Sequence, residues 1–161
     1  MDDHDSLEHL YREAGPALLA YFRHQPSLAG AAEDLLQDTF LRALRQRGRL
    51  EKAVSRRAYV FGIARHVGLD ALRRVKPGSD PVDVPGVPET QPDERLEAMR
   101  AAIAALPPLH REALLLRLQQ DFSYDEIAEV LQVPVGTVRS RLHHAVRQLR
   151  QTLNPSVLHE H

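Results

Sequence analysis

Seven side chains able to address a nucleic acid fall within eleven residues, TVRSRLHHAVR (137–147): Thr137, Arg139, Ser140, Arg141, His143, His144 and Arg147. Hydroxyl, guanidinium and imidazole groups can donate to phosphate oxygens and to acceptors on base edges, which makes this mixture chemically suited to duplex DNA. Between Val133 and Leu153 there are four arginines and no carboxylate. Val138, Leu142, Ala145 and Leu149 recur there at helical spacing, so a buried stripe leaves the polar set mostly outside it. Such a helix must be held at a fixed angle, and the preceding residues, FSYDEIAEVLQVPV (122–135), supply the means. Ser123 and Glu126 have capping-box spacing, and Ile127, Ala128 and Leu131 share one helical face. Pro134 drives Val133 out of the α region and is well placed to open the next helix. A short capped helix, a tight turn and a basic second helix predict a helix-turn-helix. The bland alternative is a helical hairpin with solvated arginines; the coincidence of cap, turn, stripe and charge asymmetry favours the first.

The whole chain has 161 residues and a net charge of −1, with 43% hydrophobic and 5% aromatic residues and no Trp. That composition predicts one or two small domains with aliphatic helical cores, an all-α fold. The absence of Cys excludes a disulfide framework and a thiolate metal site. No apolar run approaches the length of a membrane span and the N-terminus, MDDHDS, is acidic, so a cytoplasmic protein without membrane insertion is expected. The near-zero charge is a sum of unlike parts. Residues 1–32 carry −3, residues 33–76 carry +6, residues 77–99 carry −5 and residues 100–161 carry +1. Two basic blocks with an acidic segment between them bear on partners more than the total does.

In the first block, residues 6–24 show a helical apolar pattern that meets Gly15-Pro16, where a kink or restart is expected. Residues 30–47 read as an amphipathic helix with Leu35, Leu36, Thr39, Phe40, Ala43 and Leu44 inward, acids early and arginines late. Its outer side carries Asp34, Gln37, Asp38, Leu41 and Arg42, either a solvated face or a docking face for a protein. Residues 48–57 read as a basic loop, followed by a helix over 58–75. There Arg56, Arg57, Arg65, Arg73 and Arg74 flank Tyr59 and Phe61. Cations beside rings suit single-stranded nucleic acid, the cations holding phosphate and the rings stacking bases, unless the rings belong to the core.

Five of the eleven prolines fall in residues 76–92, an extended acidic linker. Helix resumes near Asp93, restarts at Pro107-Pro108 and leads into the helix-turn-helix; residues 154–161 form a tail. The expected organisation is two small helical domains, 1–75 and 93–153, joined by the linker 76–92.

With both blocks in place, the chain resembles a bacterial RNA polymerase sigma factor of the extracytoplasmic-function group. The resemblance rests on AEDLLQDTFLRAL (32–44), RAYVFGIARHVGLDALRR (57–74) and the long block from ALPPLHREALLLRL to HHAVRQLR (105–150), and with their spacing it covers nearly the whole chain. It implies that residues 1–75 are sigma region two, which docks on core RNA polymerase through Asp34, Gln37 and Asp38. The same region would hold the minus-10 element as non-template single strand through Arg56, Arg57, Tyr59, Phe61, Arg65, His66, Arg73 and Arg74. It further implies that residues 93–153 are region four, reading the minus-35 element as duplex through the helix after Pro134. An anti-sigma factor is the implied regulator. No catalytic residue, metal or cofactor is implied, and the protein is not expected to be an enzyme. Some positions depart from the family pattern. Gln132 stands where the turn often has Gly, His144 and Val146 where Arg is common, Ala58 for a frequent Trp and His66 for a frequent Asn. Two other classes are weighed against this. A regulator that binds duplex DNA without polymerase would not need the QDTF helix or the basic, aromatic second block. A metal-dependent hydrolase using the nine histidines would need a ligand spacing such as HExxH, which the sequence lacks.

Overall fold

A computed structural model describes residues 3–75 and 93–154, with side chains from Leu7 onward. Among the described residues there are helices and no strand. The expected linker, 76–92, and the tail beyond Asn154 lie outside the described residues. The helices are α1 (Asp3–Arg23), α2 (Ala32–Arg45), α3 (Arg47–Glu51), α4 (Arg56–Arg74), α5 (Glu94–Ala104), α6 (Pro108–Gln120), α7 (Tyr124–Leu131) and α8 (Val135–Leu153), with a 3-10 turn at Ala29–Ala31. They form two compact units, one built on α1 to α4 together with residues 129–132 and one on α5, α6, the start of α7 and α8.

In the first unit α1, α2 and α4 pack against one another. Leu10, Ala14, Leu18 and Phe22, spaced by four, are buried along one face of α1. That face explains why the restart expected at Gly15-Pro16 does not occur: α1 runs through Pro16 as one helix. The core anchors turns on both sides of Pro16, whose exposed position leaves the unpaired carbonyl one turn earlier within reach of water. Helix α2 starts with Glu33 and Asp34 and ends with Arg42 and Arg45, as its dipole favours. Leu36, Thr39 and Ala43 are its buried residues beyond the first, and the Thr39 hydroxyl donates to Leu35 O at 2.8 Å. Of the other positions expected inward, Leu35 and Phe40 are half-buried and Leu44 is exposed, because α1 covers only part of that flank. The segment expected as a loop, 48–57, is partly helical: α3 buries Leu50 and its turns close on Gln46 O. Ser55 then caps α4, its hydroxyl accepting from Ala58 N at 2.9 Å. A Cβ on Gly68 would sit 3.5 Å from both Phe22 and Leu28, so α4 and α1 meet closely there.

In the second unit α5 and α6 pack against α8. Asp93 caps α5 through Arg95 N at 3.0 Å, and Pro107-Pro108 separates α5 from α6 as the sequence indicates. Helix α6 ends on Asp121, in the left-handed region at φ 53°, with Arg117 donating to Phe122 O at 3.0 Å. The buried residues include Leu106, Ala113, Leu114, Phe122, Ile127, Val138, Leu142 and Ala145. Gln148 Nε2 donates to Ala105 O at 3.4 Å and Arg111 to Ala104 O at 2.9 Å, so α6 and α8 both fasten the end of α5.

Candidate nucleic-acid interface

The elements that aim α8 can be followed atom by atom. Ser123 N donates to Glu126 Oε1 at 3.0 Å, and Glu126 N donates to Ser123 Oγ at 3.1 Å, a complete capping box at the start of α7. Gln132 closes the turn in the left-handed region at φ 55°. A side chain pays a steric penalty there of about 1 kcal/mol or more. Gln132 Nε2 offsets part of it by donating to Glu129 O at 2.6 Å. Pro134, extended at φ −62° and ψ 149°, is the N-cap of α8, and Thr137 N and Val138 N both donate to its carbonyl.

Along α8, Arg139, Ser140, His143, His144 and Arg147 are exposed, whereas Thr137 and Arg141 are half-buried. At 100° per residue Ser140 and Arg147 lie within about 20° of one another, and Arg141 lies about 120° from Arg147. The seven candidate residues therefore divide between an outward stripe and a flank, with Arg141 on the flank. His144 is stacked on His110 of α6, ring centroids 5.7 Å apart at 18°, and His143 stands edge-on to it at 5.7 Å. On the other side of the stripe Arg139, His143, Arg147 and Arg150 line a groove of about 550 Å³ floored by Leu142 and Val146 and closed by Tyr124. Arg150, absent from the sequence-derived set, extends the cationic run by one turn. Its position next to Leu149 in a helical pattern could have shown this.

In the first unit the candidates on α4 also separate. Arg56, His66, Arg73 and Arg74 are exposed, and Arg57, Tyr59 and Arg65 are half-buried. Phe61 is only 2% exposed and lies edge-on to Tyr21 at 6.3 Å, with the Arg57 guanidinium 5.8 Å over its ring. It is a core ring in this conformation, and Arg57 covers it. Tyr59 Oη donates to Gln46 Oε1 at 2.7 Å, and burial pushes the phenol above its usual range while Arg49 pulls it down. On α2 Asp34 and Gln37 are exposed and Asp38 is half-buried. Beside them Tyr11, Leu41 and Leu44, 45%, 52% and 37% exposed, border an apolar groove of about 470 Å³ between α1 and α2. Tyr11 and Phe40 pack edge-to-face in it at 4.9 Å. The part of α1 in this groove was not visible from α2's own pattern. Among the described residues no group of three or more His, Asp or Glu could hold a metal ion, and no helix is long and apolar enough to cross a membrane.

Comparison with known proteins identifies the two units. Residues 10–77 match the family model for sigma-70 region 2, and residues 96–149 match that for sigma-70, region 4. The chain is similar to the RNA polymerase sigma factor YlaC of Bacillus subtilis, 32% identical over 97% of this chain and 96% of the relative. It is 35% identical to the ECF RNA polymerase sigma factor SigL of Mycobacterium tuberculosis, over 89% of this chain and 86% of the relative. Among solved structures, the sigma factor RpoE in complex with the anti-sigma factor NepR from Bartonella quintana superposes with a TM-score of 0.69 and 25% identity, covering 94% of this chain and 98% of that one. CnrH in complex with the cytosolic domain of CnrY shares the fold, with a TM-score of 0.65 at 23% identity over 95% of this chain and 90% of that one. With both sigma regions present in order and near-full-length relatives on both sides, the chain belongs to the extracytoplasmic-function group of RNA polymerase sigma factors.

Proposed function

We propose that this chain binds core RNA polymerase and directs it to specific promoters. On this reading residues 1–75 act as region two and residues 93–153 as region four. Helix α8 enters the major groove of the minus-35 element, with Ser140 and His144 toward base edges and Arg147 toward phosphate. The exposed arginines and His66 of α4 track the non-template strand of the minus-10 element, with Tyr59 as the ring still partly accessible. Asp34, Gln37 and Asp38, with Leu41 and the adjoining groove, form the polymerase face of α2. The observation that carries the reading is the outward stripe of α8, cationic and free of carboxylates, held on a capped α7 and a proline-opened turn. The complex formed by RpoE with the anti-sigma factor NepR supports control by an anti-sigma partner here too. The work is done in the cytoplasm, where polymerase is.

Co-purification tests it. Tagged full-length protein should retain core polymerase stoichiometrically and lose it when Asp34 and Asp38 are reversed in charge. Tight binding to duplex DNA with no retention of polymerase would instead support an autonomous helix-turn-helix regulator.

A further inference from the structure

Asp38, one of the proposed polymerase-docking carboxylates, is not a simple surface acid. Arg42, one turn later on α2, holds it with two nitrogens: Nε to Oδ1 at 3.3 Å and Nη2 to Oδ2 at 3.4 Å. The third nitrogen of the same guanidinium reaches across to α4, Nη1 to Asp70 Oδ2 at 3.5 Å. The other oxygen of Asp70 lies 3.7 Å from Arg73 Nη1. Three ion pairs thus run from the docking helix to a cation proposed to hold promoter phosphate. Fractional exposures of 46% for Asp38, 32% for Arg42, 40% for Asp70 and 79% for Arg73 leave both ends of the chain open to partners.

We propose that Arg42 is a positioning residue that couples polymerase docking to promoter binding by shifting its weight between Asp38 and Asp70. A polymerase cation that pairs with Asp38 weakens the hold of Asp38 on Arg42 and repels Arg42 electrostatically. The guanidinium then leans on Asp70, the only other carboxylate bonded to it among the described residues. Asp70, more fully neutralised from that side, holds Arg73 less strongly, and Arg73 becomes available to a phosphate. Docking therefore raises affinity for promoter DNA through this path. The inference rests on the proposed docking role of Asp38.

The signature is a crossed response that loss of structure cannot produce. Arg42→Gln unmasks Asp38 and leaves Asp70 wholly to Arg73, so core binding should tighten and promoter binding by the assembled holoenzyme should weaken. Asp70→Asn does the reverse: Arg42 turns entirely to Asp38, weakening core binding, while Arg73 is released and promoter binding tightens. Because all four groups are partly solvated, each change should be about two- to five-fold. Both affinities are measured with full-length protein, core polymerase and a promoter fragment, after thermal melts confirm folding. The two variants moving both affinities in the same direction, or leaving both unchanged, overturns the coupling. Asp38→Asn separates the two layers: unchanged core binding in that variant overturns the docking role itself. Weakened core binding together with no crossed response overturns only the coupling.

Discussion

Arg147→Ala offers a quantitative test of the proposed docking of α8 on DNA. Ser140 and Arg147 share the outward stripe, and the seven residue steps from one to the other advance the helix by about 10.5 Å. The major groove is about 12 Å wide, so a helix that lays Ser140 against base edges carries Arg147 to the phosphate wall. Each neutralised phosphate of duplex DNA adds about 0.9 to the slope of log affinity against log salt. One such contact accounts for about 3.5-fold of the affinity lost between 50 and 200 mM salt. The assay titrates holoenzyme, assembled with wild type or variant, onto a promoter fragment and onto a fragment with a scrambled minus-35 element across that range. The ratio of wild-type to variant affinity should shrink by about 3.5-fold from the low to the high end and should be alike on both fragments. Ser140→Ala should show the opposite pattern, with reduced discrimination and parallel salt lines. A sequence-selective loss for Arg147→Ala with an unchanged salt slope would refute the docking geometry.

Other substitutions test the scaffold and the second surface. Asp34→Lys with Asp38→Lys should weaken core binding at least ten-fold in a competition assay, while thermal stability moves by no more than about 1 kcal/mol, since Asp34 is exposed and the Arg42 pairing of Asp38 is partly solvated. Ser123→Ala removes the acceptor of Glu126 N and should cost about 1 kcal/mol in denaturant unfolding, with a matching loss of minus-35 binding. Gly68→Ala adds a methyl group at ordinary van der Waals distance from Phe22 and Leu28 and gains helix propensity, so it should stabilise the protein by roughly 0.5–1 kcal/mol in the same assay.

What could be read from the sequence was local. The capping box at Ser123 and Glu126, the Pro134 opening of α8, the Pro107-Pro108 break and the acid-to-arginine polarity of α2 all lie within one or two turns, and each appears as expected. The failures are tertiary. Of the kink or restart expected at Gly15-Pro16, the restart does not occur, because the buried row on both sides of Pro16 outweighs one lost hydrogen bond. The turns of α3 hang on burial of a single leucine, Leu50, too little for a periodic pattern to register. Phe61 has a neighbourhood of cations in sequence, and only packing against Tyr21 and Arg57 shows that its ring faces inward. Arg42 and Asp70 are 28 residues apart, and no spacing rule on one helix connects them. On α8 all seven candidates lie in one helix as expected, yet the half-buried flank position of Arg141 depends on its angle and on neighbouring helices.

In the proposed function, this chain gives core polymerase a promoter preference. Transcription in vitro from a library of genomic promoter fragments, with core enzyme alone and with the full-length protein added, measures it directly. Discrete new start sites should appear that share an upstream and a downstream element at fixed spacing, and they should disappear with Asp34→Lys and Asp38→Lys. Start sites identical to those of core enzyme alone, with the protein bound to duplex DNA in polymerase's absence, would contradict it.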